Sequence, residues 1–141
     1  MKILLPVDGS ENSLRAARYV LNMAQKHPSL EITLLTAACD FNDVYFTEAY
    51  VDTQDANRRC LDAAKKDLAR VKKLFDEAGV PVETEILAGD PGNIIVSYAQ
   101  EKGVDKVVMG SRGLNPLMGM VLGSVAYKVL HGVKVPVTII K

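Results

Sequence analysis

The residues best suited to binding a ligand are glycines near the carboxyl end. A Gly-x-x-Gly motif is followed, after nine intervening residues, by a Gly-Ser pair. They are Gly110 and Gly113, followed by Gly123 with Ser124. Glycine lets a backbone approach a ligand closely and adopt dihedral angles that a side chain forbids. The apolar run after Gly123 predicts a helix, whose first turn presents unpaired N–H groups and the positive end of a dipole. The spacing indicates an anion site, most simply for phosphate; the alternative is ordinary turn chemistry.

Elements that position these glycines follow from the hydrophobic pattern. Short apolar runs predict five strands, at 3–7, 32–38, 80–86, 104–109 and 135–140. Between them lie four predicted helices: one capped by Ser10, one around residues 60–78, one entered through Asp90 and Pro91, and one starting at Gly123-Ser124. Alternating strands and helices predict an α/β fold with a parallel sheet. Ligands of such sheets bind outside the carboxyl ends of the strands, so Asp8 and Gly110 meet if strands one and four are neighbours.

Composition excludes several classes of protein. The chain has 141 residues, 48% of them hydrophobic, which suits one domain over 1–141. Seventeen basic and seventeen acidic residues leave no net charge, which argues against nucleic-acid or membrane partners. The part from Lys106 onward, which carries the glycines, has five basic residues and no acidic one. No membrane span or signal peptide is evident, so we expect a soluble cytoplasmic protein.

The two cysteines, Cys39 and Cys60, have no CxxC spacing and no second Cys/His cluster. We therefore expect reduced thiols and no protein-held metal. Scattered acidic residues between positions 40 and 55 are interpreted as solvated rather than as a metal cluster.

The glycine spacing, the opening Ile3-Leu4-Leu5-Pro6-Val7-Asp8-Gly9-Ser10 and the helix entry Gly89-Asp90-Pro91 resemble the nucleotide-binding subgroup of the universal stress proteins. The resemblance covers the whole chain. It implies a single-domain, doubly wound five-stranded parallel sheet of order 3-2-1-4-5 with helices on both faces. It also implies that the protein binds ATP, or AMP or ADP, with any Mg²⁺ carried by the nucleotide.

Candidate nucleotide-binding residues follow from the resemblance. Adenine and ribose are expected near the end of the first strand and the main chain of the second, and the phosphates near the glycines. The residues are Pro6, Val7, Asp8, Ala37, Met109, Gly110, Arg112, Gly113, Gly123, Ser124 and Val125. Their chemistry agrees, since Asp8 can accept from ribose hydroxyls and Ser124 and Arg112 can donate to phosphate. Asp8 as a turn residue and Arg112 as a solvated loop charge are the alternatives.

Two functions remain open: a regulatory protein whose nucleotide occupancy sets conformation, assembly or partner choice, and a slow ATP hydrolase or another enzyme using adenine nucleotides. The sequence has no G-x-x-x-x-G-K-[ST] loop and no placed base, so no catalytic residue is assigned. A dinucleotide enzyme is disfavoured because G-x-G-x-x-G does not follow strand one. A receiver domain is disfavoured because Asp8 lacks an adjacent acidic partner.

The last strand predicts assembly. Val137, Thr138, Ile139 and Ile140 would form an uncovered apolar edge, and the resembled family commonly dimerises there. We therefore expect a homodimer that a Thr138→Pro change disrupts.

Two further segments have open roles. Phe41, Tyr45, Phe46 and Tyr50 lie in one loop that would cover the adenine, join a subunit contact or cap the core. The apolar linker 114–122 would pack, move or contact a partner.

Overall fold

A computed structural model describes residues 1–39, 53–113 and 121–141. The aromatic loop 41–50 and residues 114–120 of the apolar linker lie outside the described residues. The described elements are β1 (Lys2–Pro6), α1 (Glu11–Lys26), β2 (Glu31–Ala38), α2 (Thr53–Glu77), β3 (Glu83–Ala88), α3 (Pro91–Glu101), β4 (Lys106–Gly110), α4 (Ser124–Gly132) and β5 (Val137–Ile140).

The five strands form one parallel sheet in the order β3-β2-β1-β4-β5. This confirms the predicted fold class and strand order. At the centre, Leu4 pairs with Thr33 of β2 on one side and with Val107 of β4 on the other. Because β1 and β4 are neighbours, the turns that follow them open at the same end of the sheet, where the strand order reverses.

Two apolar layers cover the two faces of the sheet, because successive strand residues point in opposite directions. Leu5, Leu34 and Val108 pack with α1 and α2, whereas Leu4, Leu35 and Val107 pack with α3 and α4. These neighbouring pairs explain the continuous apolar runs in the sequence, because the three central strands β1, β2 and β4 must be apolar on both faces.

Local capping chemistry sets the helix starts that the sequence predicted. The Ser10 hydroxyl accepts from the Ser13 N–H at 3.2 Å, and an Asp90 carboxylate oxygen accepts from the Asn93 N–H at 2.9 Å. Each cap satisfies a first-turn N–H that has no acceptor within its helix.

Three strands begin later than the apolar pattern predicted, at Glu83, Lys106 and Val137. The residues before them are apolar because they pack, not because they pair. Val104 is buried against the α3 and α4 layer, and Val80 and Val135 are half-buried at the edges of the core. The N–H groups of Val80 and Val104 donate to the carbonyls of Phe75 and Ala99 at the ends of the preceding helices, and the β2–β3 ladder begins at the pair of Thr33 with Glu83.

The cysteines correct another expectation. Cys39 and Cys60 form a disulfide bond, with Cα atoms 5.8 Å apart, so the expectation of reduced thiols was wrong. Their separation of 21 residues carries no signature of pairing, because the pairing depends on how α2 lies against the end of β2.

Among the described residues, no helix combines the length and the apolar character needed to cross a bilayer.

Candidate functional site

A cavity of about 300 Å³ lies at the carboxyl ends of β1 and β4, between the first turns of α3 and α4. All eleven residues singled out from the sequence line it: Pro6, Val7, Asp8, Ala37, Met109, Gly110, Arg112, Gly113, Gly123, Ser124 and Val125. Six further lining residues were missed: Ser10, Ser13, Leu35, Pro91, Ile95 and Ala126.

The apolar wall of the cavity contains several of the missed residues. Leu35, Ile95 and Ala126 are buried and continue the layer beneath α3 and α4. One of them had a signal in the sequence: Leu35 stands two residues before Ala37 on the same strand and so shares its face. This wall suits a flat apolar group such as a nucleobase.

Asp8 sits in an interlocked turn at the cavity rim. Its carboxylate Oδ1 accepts from the Ser10 N–H at 3.0 Å, and its own N–H donates to Ser13 Oγ at 3.3 Å. Asp8 is therefore a turn residue, as the alternative interpretation held, and it also lines the cavity. The turn fixes the direction of the carboxylate, which a loop residue alone would not do.

The glycines serve a purpose other than the one their spacing suggested. Gly110, Gly113 and Gly123 all lie outside the positive-φ region, so the expectation of unusual dihedral angles was wrong for them. Instead, protein atoms occupy the space that a Cβ would need. At Gly110 it would lie 2.8 Å from the backbone of Asn12, and at Gly113 2.7 Å from Asp8 Oδ2.

At Gly123 the added Cβ would lie 3.2 Å from the Cα of Arg112. The three glycines therefore allow α1, the end of β4 and the start of α4 to approach one another closely. The close packing of these three segments forms one wall of the cavity.

The first turn of α4 opens into the cavity. The Gly123 N–H donates to the Ser111 carbonyl at 2.7 Å, and intrahelical bonding begins with the Tyr127 N–H, which donates to the Gly123 carbonyl at 2.9 Å. The N–H groups of Ser124, Val125 and Ala126 have no acceptor within the helix, and all three residues line the cavity. The positive end of the helix dipole thus faces the cavity.

Arg112 and Asp8 are the charged residues among the described cavity lining. Arg112 is exposed and adjoins the first turn of α4 through Gly123. A guanidinium beside unpaired N–H groups makes this end of the cavity attractive to anions.

The start of α3 is joined to the middle of α4 by an ion pair. Lys128 Nζ lies 2.9 Å from Asp90 Oδ2, the oxygen that also caps α3. The Asn93 N–H, and then Lys128, hold the pKa of Asp90 below its ordinary value of 3.8. The cap was predicted from the sequence, whereas its ion pair with Lys128, 38 residues away, was not.

A second carboxylate lies behind Asp8. Asp67 of α2 packs against Gly9, where an added Cβ would lie 2.5 Å from Asp67 Oδ1. Burial, and then the charge of Asp8, raise the pKa of Asp67, while Arg70 opposes the rise. The sequence gave no sign of this contact.

Within the part of the chain that the structure describes, no group of three or more His, Cys, Asp or Glu residues is arranged to hold a metal ion.

Fold and cavity together define a parallel α/β protein with an anion-attracting cavity at the switch point of its sheet. A profile described as the universal stress protein family matches residues 1–141. The chain therefore belongs to the universal stress protein family.

Relatives agree with this assignment. The universal stress protein MJ0531 of Methanocaldococcus jannaschii is 33% identical over 140 residues, which cover 99% of this chain and 81% of that protein. Among solved structures, MJ0577 superposes with a TM-score of 0.86 at 29% identity, covering 99% of this chain and 94% of that one. A universal stress protein in complex with cAMP superposes with a TM-score of 0.72 at 25% identity, covering 100% and 97%.

Proposed function

We propose that this universal stress protein binds an adenine nucleotide, ATP, in the cavity at the ends of β1 and β4, and that nucleotide occupancy regulates its conformation, assembly or choice of partner. The observation that carries the proposal is the first turn of α4, whose N–H groups have no acceptor within the helix and whose residues line the cavity together with Arg112. Phosphate is the anion that such an arrangement binds most often in α/β proteins.

The shape and charge of the cavity support an order for the parts of the ligand. The base lies against the apolar residues Pro6, Leu35 and Ala37. The ribose hydroxyls donate to the Asp8 carboxylate, which its turn already holds in place. The phosphates lie at Arg112 and the first turn of α4, and Mg²⁺ arrives with the nucleotide.

The relative in complex with cAMP supports the choice of an adenine nucleotide. ATP is favoured over AMP because the locally basic carboxyl-terminal part offers several donors to a longer phosphate chain: Arg112, Ser124 and the helix N–H groups. Fixed backbone donors with one or two charged contacts suit a micromolar Kd, which corresponds to roughly 7–8 kcal/mol.

Calorimetry with ATP tests the proposal. We expect the parent protein to bind one ATP per chain. Gly123→Val should abolish binding, because a side chain there pushes the first turn of α4 away from Arg112. Arg112→Gln should weaken binding about tenfold, the effect of one charge-assisted hydrogen bond. Arg18→Gln is the matched control, since it removes an exposed guanidinium from α1 and should leave the affinity unchanged.

Circular dichroism must show that each variant is folded. A parent that binds no ATP, ADP or AMP would contradict the proposed function. Unchanged affinity in a folded Gly123→Val protein would contradict the proposed position of the phosphates.

A homodimer formed through β5 is the second part of the proposal, and it gives nucleotide occupancy an assembly on which to act. It is supported by the contrast between the two sheet edges, since β3 carries Glu83 and Glu85 whereas β5 carries no charged residue.

A further inference from the structure

The disulfide bond lies close in sequence to the cavity lining on β2. Cys39 directly follows β2 and stands two residues after Ala37, which lines the cavity. Its partner Cys60 lies on α2. Cys39 is exposed and Cys60 is half-buried, so one of the two sulfur-bearing residues is open to attack from solvent.

The hydrophobic anchorage of α2 begins only after this bond. Side chains from position 54 to 63 are exposed or half-buried, whereas Ala64, Leu68 and Val71 are buried in the core. The disulfide is therefore the covalent link between the first part of α2 and the sheet. A stretch without buried apolar contacts is the part of a helix that opens at the lowest free energy once such a link is cut.

The chemistry around the sulfur atoms favours one direction of attack. The Cys39 N–H donates to Cys60 Sγ at 2.9 Å. A hydrogen bond to sulfur stabilises its thiolate and makes it the better leaving group. An incoming thiolate therefore attacks the sulfur of the exposed Cys39 and displaces Cys60.

The same helix contacts two turns that adjoin the cavity lining. At one point it is joined to Cys39, just beyond the end of β2. At the other, Asp67 packs against Gly9, just beyond Asp8. A change in the position of α2 on the sheet would therefore move the residues that follow β2 and β1, next to the place where the adenosine part of the ligand would lie.

We propose that the Cys39–Cys60 bond is a thiol–disulfide exchange site for small thiols of the glutathione class, and that its reduction releases residues 54–63 and weakens nucleotide binding. The second clause rests on the proposed function. One thiolate forms a mixed disulfide with Cys39 and expels the Cys60 thiolate. A second thiolate then attacks the mixed disulfide, releases the oxidised small-molecule disulfide and frees Cys39. Two electrons pass from the small thiols to the protein, and each protein thiolate takes a proton from water.

Hydrogen exchange followed by mass spectrometry tests the first clause without any nucleotide. The full chain is compared before and after treatment with reduced glutathione. We expect exchange at residues 54–63 to rise at least about tenfold, with residues 64–77 unchanged because their apolar face stays packed. The Cys39→Ser/Cys60→Ser protein should exchange like the reduced parent and should not respond to glutathione.

Calorimetry with ATP on the same samples tests the second clause. We expect the reduced protein and the double serine variant to bind about fivefold more weakly than the oxidised parent, the lower end of ordinary coupling between two sites. Two free thiols that persist under oxidised glutathione, or equal exchange in both states, would overturn the exchange site.

Equal ATP affinity in both states would overturn the coupling to the cavity. If neither form binds ATP while exchange still responds, the proposed function and the coupling fail together, and the exchange site stands.

Discussion

At the scale of single residues, the cavity wall requires glycine at three positions because other protein atoms occupy the space that a Cβ would need. The neighbours differ in how far they can move. At Gly110 they are the backbone and Cβ of Asn12 and the backbone of Ser13, which belong to the first turn of α1. At Gly92, on α3, the nearest atom is Cδ of Lys128, and the outer part of this exposed side chain can turn toward solvent if its ion pair with Asp90 loosens. Lys128 Cβ, 3.1 Å from the added Cβ, is the less movable neighbour.

The same substitution should therefore have different costs at these two positions. Gly110→Ala overpacks a rigid contact and should lower the free energy of unfolding by about 1–3 kcal/mol. Gly92→Ala displaces the outer part of the Lys128 side chain and loosens its half-exposed ion pair with Asp90, but it gains helix propensity. The net change should therefore stay below about 1 kcal/mol. Urea denaturation at pH 7 measures both. Equal costs would show that the approach of β4 to α1 is looser than the structure indicates.

Residue spacing in the sequence was sufficient to locate the glycine turns and the start of α4, because turns and helix starts are local features. The resemblance to the universal stress proteins, rather than spacing, supplied the full set of eleven residues that meet in one cavity. Contacts between distant residues were not predictable in the same way. The ion pair of Lys128 with Asp90, the contact of Asp67 with Gly9 and the disulfide all depend on how helices settle on the sheet. No local pattern encodes these distances.

At the scale of elements, α3 begins at a cap that has two functions. The Asp90 carboxylate accepts from the Asn93 N–H and pairs with Lys128, so it holds the first turn of α3 and joins it to α4. Because the negatively charged form makes these contacts, the pKa of Asp90 is lower in the folded protein than the ordinary 3.8.

Asp90→Ala should lower the free energy of unfolding by about 1 kcal/mol at pH 7, the usual cost of losing a helix cap. The lowered pKa means that this contribution is present above pH 3.8 and is lost as the pH falls through the folded-state value. Urea midpoints of the two proteins should therefore differ at pH 7 and converge in acid. Asp90→Asn is the matched control, since it keeps a cap acceptor without the charge and should lose less at pH 7.

Strand boundaries show where element prediction from sequence fails. Apolar residues before β3, β4 and β5 resemble strand residues because they are at least partly removed from water. The N–H groups of Val80 and Val104, however, donate to carbonyls at the ends of the preceding helices rather than to a neighbouring strand. Burial is encoded in composition, whereas pairing depends on where the adjacent strand begins and ends.

At the scale of the whole molecule, the two edges of the sheet differ in chemistry. The β3 edge carries Glu83 and Glu85, and charged side chains discourage pairing with another sheet. The β5 edge, Val137–Ile140, carries no charge, and its four residues are all half-buried. This contrast supports the proposed homodimer, with β5 strands paired across a twofold axis.

The hydrogen bonds of β5 decide which residues face that partner. The Pro136 carbonyl accepts from the Val107 N–H at 3.0 Å and the Ile140 carbonyl from the Ser111 N–H at 2.8 Å, so both carbonyls point toward β4. Because direction alternates along a strand, Thr138 also points inward, and the N–H groups of Val137 and Ile139 point outward. The missing N–H of Pro136 therefore faces β4, and Thr138→Pro would damage the sheet itself rather than the dimer.

The outward amides of Val137 and Ile139 give the sharper test. In a dimer paired through β5, these N–H groups are hydrogen-bonded and exchange as slowly as those of Thr138 and Ile140. In a monomer they exchange fast while their two neighbours remain slow, so amide exchange measured by NMR distinguishes the two states.

Light scattering should give twice the chain mass of 15.3 kDa for the parent. Ile139→Pro removes only an N–H donor that points away from β4. This variant should therefore have the mass of one chain, 15.3 kDa, and a circular dichroism spectrum of a folded protein. Alternating fast and slow amides in the parent would contradict pairing through β5, even if the parent proved dimeric.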